Sequence, residues 1–230
     1  MLYKVTNVEK VTYDTTKIRF EGPKVEFKPG QFMMISCPVD DEIVKRAYSI
    51  SSSPTKDYLE ITVREVPTGL VSKILQKVKI GDEFELTGPF GAFFFDEETD
   101  KDIILIGCGC GVMPFWSMID NIIDKNLDVK VKYFVSYQKE HDIVFKEKAE
   151  QLIKDNPNIK IYYTLTRDNE NSSWQGRHGR IDKEYLAENI GNISGKTFFV
   201  CGTIAFANSM KEILLELGVS KDNIKWSAHG

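Results

Sequence analysis

Four consecutive apolar residues, Ile103-Ile104-Leu105-Ile106, run straight into Gly107-Cys108-Gly109-Cys110-Gly111-Val112-Met113-Pro114, and residues with helical periodicity follow. An unbroken apolar run of this kind reads as a strand buried on both faces, the situation of a central strand in a parallel sheet. The glycines after it allow a sharp turn and let backbone N–H groups come close to a ligand. Strand, glycine turn and helix in that order make an edge suited to a pyrophosphate, because unpaired N–H groups and the helix dipole both favour an anion there.

This turn stands near the head of a longer alternation of strands and helices. After Asp96-Glu97-Glu98-Thr99-Asp100, an acidic segment without a core-forming residue, strand and helix patterns alternate. Strand candidates at 102–106, 129–135, 159–165 and 197–201 are separated by helix candidates beginning near Gly111, Asp142, Asp182 and Ile204. Such alternation predicts a parallel sheet with helices on both faces. In the last long helix Phe206, Met210, Ile213 and Leu217 mark one face, Gly218 supplies a stop, and a short strand near 224–226 closes the fold.

Upstream of the acidic segment the periodicity is different. Thr16, Ile18 and Phe20 alternate with Thr15, Lys17 and Arg19, and Leu59, Ile61 and Val63 alternate with Tyr58, Glu60, Thr62 and Arg64, so both stretches read as half-buried antiparallel strands. Turn signals at Lys28-Pro29-Gly30, Ser53-Pro54, Ile80-Gly81-Asp82 and Gly88-Pro89 recur between short strand-like runs, which predicts a small sandwich or barrel. One short helix is expected after Thr68-Gly69, with Val71, Ile74, Leu75 and Val78 at helical spacing. The expected fold is therefore an antiparallel β-barrel domain, residues 1–97, followed by an α/β domain with a parallel sheet, residues 98–230.

Composition removes several classes of function. A hydrophobic share of 42% with 28% charged residues is that of a globular protein, and no apolar stretch approaches the ~20 residues that span a bilayer. Net charge is −4 with Lys and Arg spread along the chain, which gives no footprint for nucleic acid. The first residues mix Lys4, Glu9, Lys10, Asp14, Lys17 and Arg19 among apolar positions, unlike a secretion signal, so cytoplasmic residence is the default expectation. Cys37, Cys108, Cys110 and Cys201 are too scattered for an iron–sulfur cluster or zinc site, and no metal is expected.

Further motifs stand at characteristic separations. Phe27-Lys28-Pro29-Gly30-Gln31-Phe32 precedes Arg46-Ala47-Tyr48-Ser49; Gly69-Leu70-Val71-Ser72 and Gly88-Pro89-Phe90-Gly91 follow; then come the glycine turn and Cys201-Gly202-Thr203. Alone, Arg46-Ala47-Tyr48-Ser49 is only a strand with a charge and a hydroxyl. In this order the set resembles the ferredoxin–NADP reductase family, over nearly the whole chain from about Val5 to Gly230.

That resemblance implies roles. Arg46 would pair with a flavin phosphate through charge-assisted hydrogen bonds, Tyr48 would lie along the flavin ring beside Ala47, and Ser49 would offer its hydroxyl to the ring nitrogen that accepts hydride. Gly69, Leu70, Val71 and Ser72 would form the pyrophosphate site, a second phosphate that implies FAD. Gly88-Pro89-Phe90-Gly91 would bring backbone near the flavin, or be an ordinary turn with Phe90 and Phe93 in the core. Gly109, Cys110, Gly111 and Pro114 would form the turn for NADPH or NADH, with Cys108 where the family has a glycine, so that a side chain crowds the turn. Thr166 and Arg167 resemble the pair that contacts the 2′-phosphate of NADP; a solvated arginine at a strand end is the alternative. Cys201 and Gly202 would meet the nicotinamide, although a buried cysteine is also an ordinary core residue. Trp174, Gly176, Gly179 and Arg180 match a segment of structural character. At the chain end Ser227 stands where many members carry a glutamate, and His229 stands where they carry an aromatic; His229 would stack on the flavin or belong to a frayed terminus.

The implied activity is hydride transfer from NAD(P)H to bound FAD at a site between the domains, followed by electron transfer to a separate acceptor such as a ferredoxin, a cytochrome, an oxygenase or the catalytic subunit of a complex. The catalytic candidates are Ser49 and Cys201. A reductase that releases free reduced flavin and a non-catalytic electron-transfer or regulatory subunit are the alternatives. Oligomeric state stays open.

Overall fold

The computed structural model of the chain describes residues 1–168 and 173–229, and for His229 the backbone alone. By packing it divides into two compact units, Met1–Phe95 with Met113–Asn126, and Asp96–Val112 with Leu127–Gly230.

The first unit is built on an antiparallel sheet of β1 (Leu2–Thr12), β2 (Thr15–Glu21), β3 (Phe32–Val39), β4 (Glu42–Ser49), β5 (Leu59–Arg64) and β6 (Glu83–Phe90), in the order β4-β3-β6-β1-β2-β5. Its two outer strands meet: Ile50 bridges Ile61, and the Ser51 amide donates to the Glu60 carbonyl at 2.8 Å. The sheet thus curls towards a barrel around Val5, Ile18, Phe20, Met33, Ile35 and Ile61, all fully buried. Helix α1 (Leu70–Leu75) forms where the spacing predicts it, and Val71 and Leu75 face inward. Helix α2 (Met113–Asp124) packs with this unit, its Phe115 ring 6.2 Å from that of Phe93.

Two expectations need correcting in this unit. β5 is covered on both faces, because Glu60 accepts from the Arg19 guanidinium at 3.0 Å and the Thr62 hydroxyl pairs with that of Ser51 at 3.0 Å. Polar side chains that satisfy one another can be buried, so alternation of residue type overstated the exposure. Gly88-Pro89 lies inside β6 at a register shift against β3, and Phe90 is 43% exposed beside Phe32. Phe90 is therefore no core residue.

The second unit is a wholly parallel sheet of β7 (Asp102–Cys108), β8 (Lys130–Tyr137), β9 (Ile159–Leu165), β10 (Arg177–His178), β11 (Thr197–Thr203) and β12 (Ile224–His229). Helices α3 (Lys146–Asp155), α4 (Lys183–Ile190) and α5 (Ile204–Glu216) connect the strands, and Gly218 at φ 88° follows α5. The order is β10-β9-β8-β7-β11-β12, so the chain builds outward from β7 to one side and then returns to build on the other. Ile103 to Ile106 are fully buried, as a central strand requires. α3 starts at Lys146, not near Asp142: Asp142 closes its own turn by accepting from the Lys139 amide at 3.0 Å, and Phe145 takes φ 56° before the helix begins.

The acidic segment also holds a surprise. Asp100 is buried, accepting from the Thr197 hydroxyl and from Lys225 Nζ, both at 2.8 Å, and from the Asp96 amide. One carboxylate thereby ties the start of the unit to β11 and β12. Asp100→Ala strands the half-buried Thr197 and Lys225 donors, and an equilibrium urea melt should show a loss of about 1–3 kcal/mol. A melt within error of the parent would remove that role.

Among the described residues no helix is long and apolar enough to cross a membrane, and no group of three His, Cys, Asp or Glu is placed to hold a metal ion.

Candidate functional site

β4 pairs with β3 in unbroken register from Phe32 opposite Ser49 to Val39 opposite Glu42. Unbroken pairing enforces alternation, so Arg46 and Tyr48 project to one face and Ala47 and Ser49 to the other. Tyr48 is half-buried against the barrel core, Ser49 is half-buried, and Arg46 and Ala47 are exposed. The Arg46 guanidinium donates to the carbonyl of its neighbour Lys45 at 2.8 Å and has no carboxylate partner among the described residues. An unneutralised fork beside an aromatic ring is a fitting host for a phosphate-bearing aromatic ligand.

At the second motif the side chains turn inward. Val71 and Ser72 are buried, and Ser72 Oγ accepts from the Val66 amide at 3.1 Å. Gly69, the N-cap, has no room for a Cβ, which would fall on Ser72 Oγ and 3.1 Å from Val66 Cβ. What this corner presents outward is the exposed Leu70 side chain and the unpaired N–H groups of the first helical turn.

In the second unit the glycine turn, Gly109–Val112, is a 3-10 turn that passes directly into α2, whose second residue Pro114 needs no amide partner there. It follows β7, the strand from which the sheet grows in both directions, and ligands of open α/β sheets bind at the carboxyl edge of such a point. The turn lies on the end of β11. A Cβ on Gly111 would stand 2.5 Å from the Cys201 carbonyl carbon and from the Gly202 nitrogen, and Gly109 adopts φ 53°. Cys201 and Gly202 are buried, whereas Cys110 is exposed. Burial, with Cys108 and Cys110 nearby, pushes the Cys201 thiol up to about 12, opposed by a hydrogen bond from the Ser227 hydroxyl. Cys201 is accordingly a neutral thiol.

Thr166 and Arg167 leave β9 with their amides donating to Tyr137 O and Gln138 O, both at 2.9 Å, so the pair is held against the end of β8. Arg167 is exposed with no ion-pair partner among the described residues, and its neighbour Asp168 lies 3.9 Å from His178. Trp174 stands edge-on to Tyr163, its ring centre 6.2 Å away.

Two family models match in succession: an oxidoreductase FAD-binding domain over residues 2–95 and an oxidoreductase NAD-binding domain over residues 105–212. The chain belongs to the ferredoxin–NADP reductase-like flavoprotein family. A glycine betaine monooxygenase reductase subunit of Chromohalobacter salexigens is 32% identical over 196 residues, 84% of this chain and 53% of that protein. An NADH-cytochrome b5 reductase-like protein of Mus musculus is 26% identical over 234 residues, 97% of this chain and 74% of that protein. The FAD/NAD-binding domain of a nitric oxide dioxygenase from Vibrio cholerae superposes with a TM-score of 0.90 at 25% identity, covering 100% of this chain and 98% of that one. The chain spans about half the length of the reductase subunit it matches.

Against the family pattern, the departures at Cys108 and Ser227 acquire a structural account. The Cys108 sulfur points across to β11, 2.7 Å from where a Gly202 Cβ would stand, and it accepts from the Thr203 backbone. It leans over the glycine of the neighbouring strand instead of crowding its own turn. Ser227 is the register partner of Cys201 across β11 and β12, so the hydroxyl standing where many members carry a carboxylate is spent on the thiol. The His229 ring, and Gly230, lie outside the described residues.

Sequence reasoning missed the segment following Ser49. Ser51, Ser52 and Ser53 are all buried, and the Ser52 carbonyl accepts from the buried Ser117 hydroxyl of α2 at 2.6 Å. Three successive serines before Pro54 were the available signal; their partner on α2 left none.

Proposed function

We propose that the chain is a flavin-dependent oxidoreductase in which bound FAD takes a hydride from NAD(P)H and passes electrons on to a separate acceptor. The observation that carries this reading is the succession of an FAD-binding match and an NAD-binding match along one chain. We set the boundary between the flavin and nucleotide domains at 97/98, in the interval between the two matches.

Each residue role follows from its chemistry. Arg46 holds a flavin phosphate with its unneutralised fork, Tyr48 and Ala47 border the ring, and Ser49 supplies a hydroxyl to its reactive nitrogen. Backbone at Gly69, Leu70, Val71 and Ser72 receives the second phosphate. Gly109, Cys110, Gly111 and Pro114 form the turn that takes the nucleotide pyrophosphate, and Cys201 with Gly202 offers the nicotinamide an uncharged, close-packed surface. Thr166 and Arg167 receive the adenosine end. The acceptor is an external electron-transfer protein, oxygenase or cytochrome, or a small molecule, in keeping with the named activities of the relatives. Residence is cytoplasmic, in keeping with charged residues mixed among the apolar positions of the first twenty residues.

Anaerobic stopped-flow mixing of the FAD-loaded chain with NADPH and with NADH tests the reading. Bleaching of the flavin by at least one nucleotide is expected; bleaching by neither overturns it, and flavin lost on gel filtration but turned over when added freely favours a free-flavin reductase instead. In the same experiment Arg167→Ala should raise the half-saturating NADPH concentration about ten- to a hundredfold and leave NADH nearly unchanged, the value of charge-assisted hydrogen bonds to a phosphate. Equal effects on both nucleotides would remove the 2′-phosphate assignment.

A further inference from the structure

Helix α2 carries a carboxylate where a helix least favours one. Asp124 is its last residue, at the negative end of the dipole. The loop after β4 compensates. The Thr55 hydroxyl donates to Asp124 Oδ2 at 2.5 Å, Lys56 Nζ stands 3.0 Å from Oδ1 and 2.9 Å from Oδ2, and the Ser53 hydroxyl adds a further hydrogen bond. Ser117 precedes Asp124 by seven positions, two helical turns, so both occupy one face of α2. Ser117 is fully buried and donates to the Ser52 carbonyl. The loop is therefore clamped to α2 at two points.

The segment between the clamp and β4 is rigidly satisfied. The Ile50 amide donates to Gln31 O at 3.0 Å, the Ser51 hydroxyl pairs with Thr62, and Ser52 Oγ accepts from the Glu60 amide at 3.0 Å. Residues 50–52 thus form a short, hydrogen-bonded stretch that joins the clamp directly to Ser49. An ion pair at the protein surface contributes little to global stability. Its geometric effect on a nearby reacting group is another matter, since small misplacements slow reactions steeply.

We propose that Asp124, with Ser117, is a positioning residue that fixes where the Ser49 hydroxyl stands at the end of β4. This rests on the reading of Ser49 as the hydroxyl that faces the flavin ring. Asp124→Ala is expected to keep full FAD content and nearly the parent melting temperature, to alter the visible circular dichroism of the bound flavin, and to lower the limiting rate of flavin reduction about tenfold without raising the half-saturating nucleotide concentration. Asp124→Asn, which can still accept from Thr55, should restore most of the rate. Thr55→Val, made from the opposite side, should reproduce the defect and serves if Asp124→Ala does not fold. A rate within twofold of the parent together with an unchanged flavin spectrum overturns the proposal. A parent chain reduced by neither nucleotide overturns the functional reading instead, and the flavin spectrum of the variants still decides the clamp. A parent that binds no FAD overturns both.

Discussion

Gly111→Ala should all but abolish productive NAD(P)H binding while leaving the flavin in place. The added methyl would stand 2.5 Å from backbone atoms of Cys201 and Gly202, and backbone cannot rotate aside as a side chain can. Either the glycine turn lifts from the end of β11 or β11 bends, and both displace the N–H groups proposed to receive the pyrophosphate. Overpacking of this kind costs about 1–3 kcal/mol, and misplacement of a bound reactant by ~1 Å costs about a hundredfold in rate. Titration of the FAD-loaded variant with the preferred nucleotide, followed by flavin absorbance, is expected to show at least a tenfold loss of affinity and a hundredfold slower reduction. Parent-like titration would mean that the turn has room to move and does not hold the nucleotide.

Arg46→Ala carries the second large effect, on the other cofactor. Its guanidinium has no acidic partner among the described residues and touches only the Lys45 carbonyl, so its removal should change stability of the apoprotein by no more than about 0.5 kcal/mol. Hydrogen bonds to a charged group contribute about 1.5–3 kcal/mol, which sets the expected loss of FAD affinity at about ten- to a hundredfold. Fluorescence titration of the apoprotein with FAD measures it. Arg46→Lys should recover part of the loss, because it restores the charge without the fork. An undiminished FAD affinity in Arg46→Ala would place the phosphates elsewhere.

Much of the architecture could be read from residue type because the signals were local. The run Ile103 to Ile106 declares a strand covered on both faces, and the β/α alternation after it declares a parallel sheet. What escaped detection depended on distant partners. Glu60 and Thr62 look like solvent-facing positions until Arg19 and Ser51 meet them, and Asp100 looks like linker until Lys225 reaches it. The delayed start of α3 follows from a left-handed Phe145, a conformation its residue type does not announce. At the candidate site the glycines were visible as glycines. The reason Gly111 must be one is the backbone of Cys201, ninety positions along the chain, and no local pattern records such a contact.

Burial in β11, between β7 and β12, leaves the Cys201 sulfur protonated against the opposing pull of the Ser227 hydroxyl. With its pKa pushed up to about 12, the sulfur is the neutral thiol near neutral pH. Peroxides and alkylating electrophiles attack the ionised form, so this sulfur is chemically quiet although it borders the proposed redox centre. On the proposed function, a chain that trades in electrons thereby keeps a polarisable contact surface that its own chemistry does not consume.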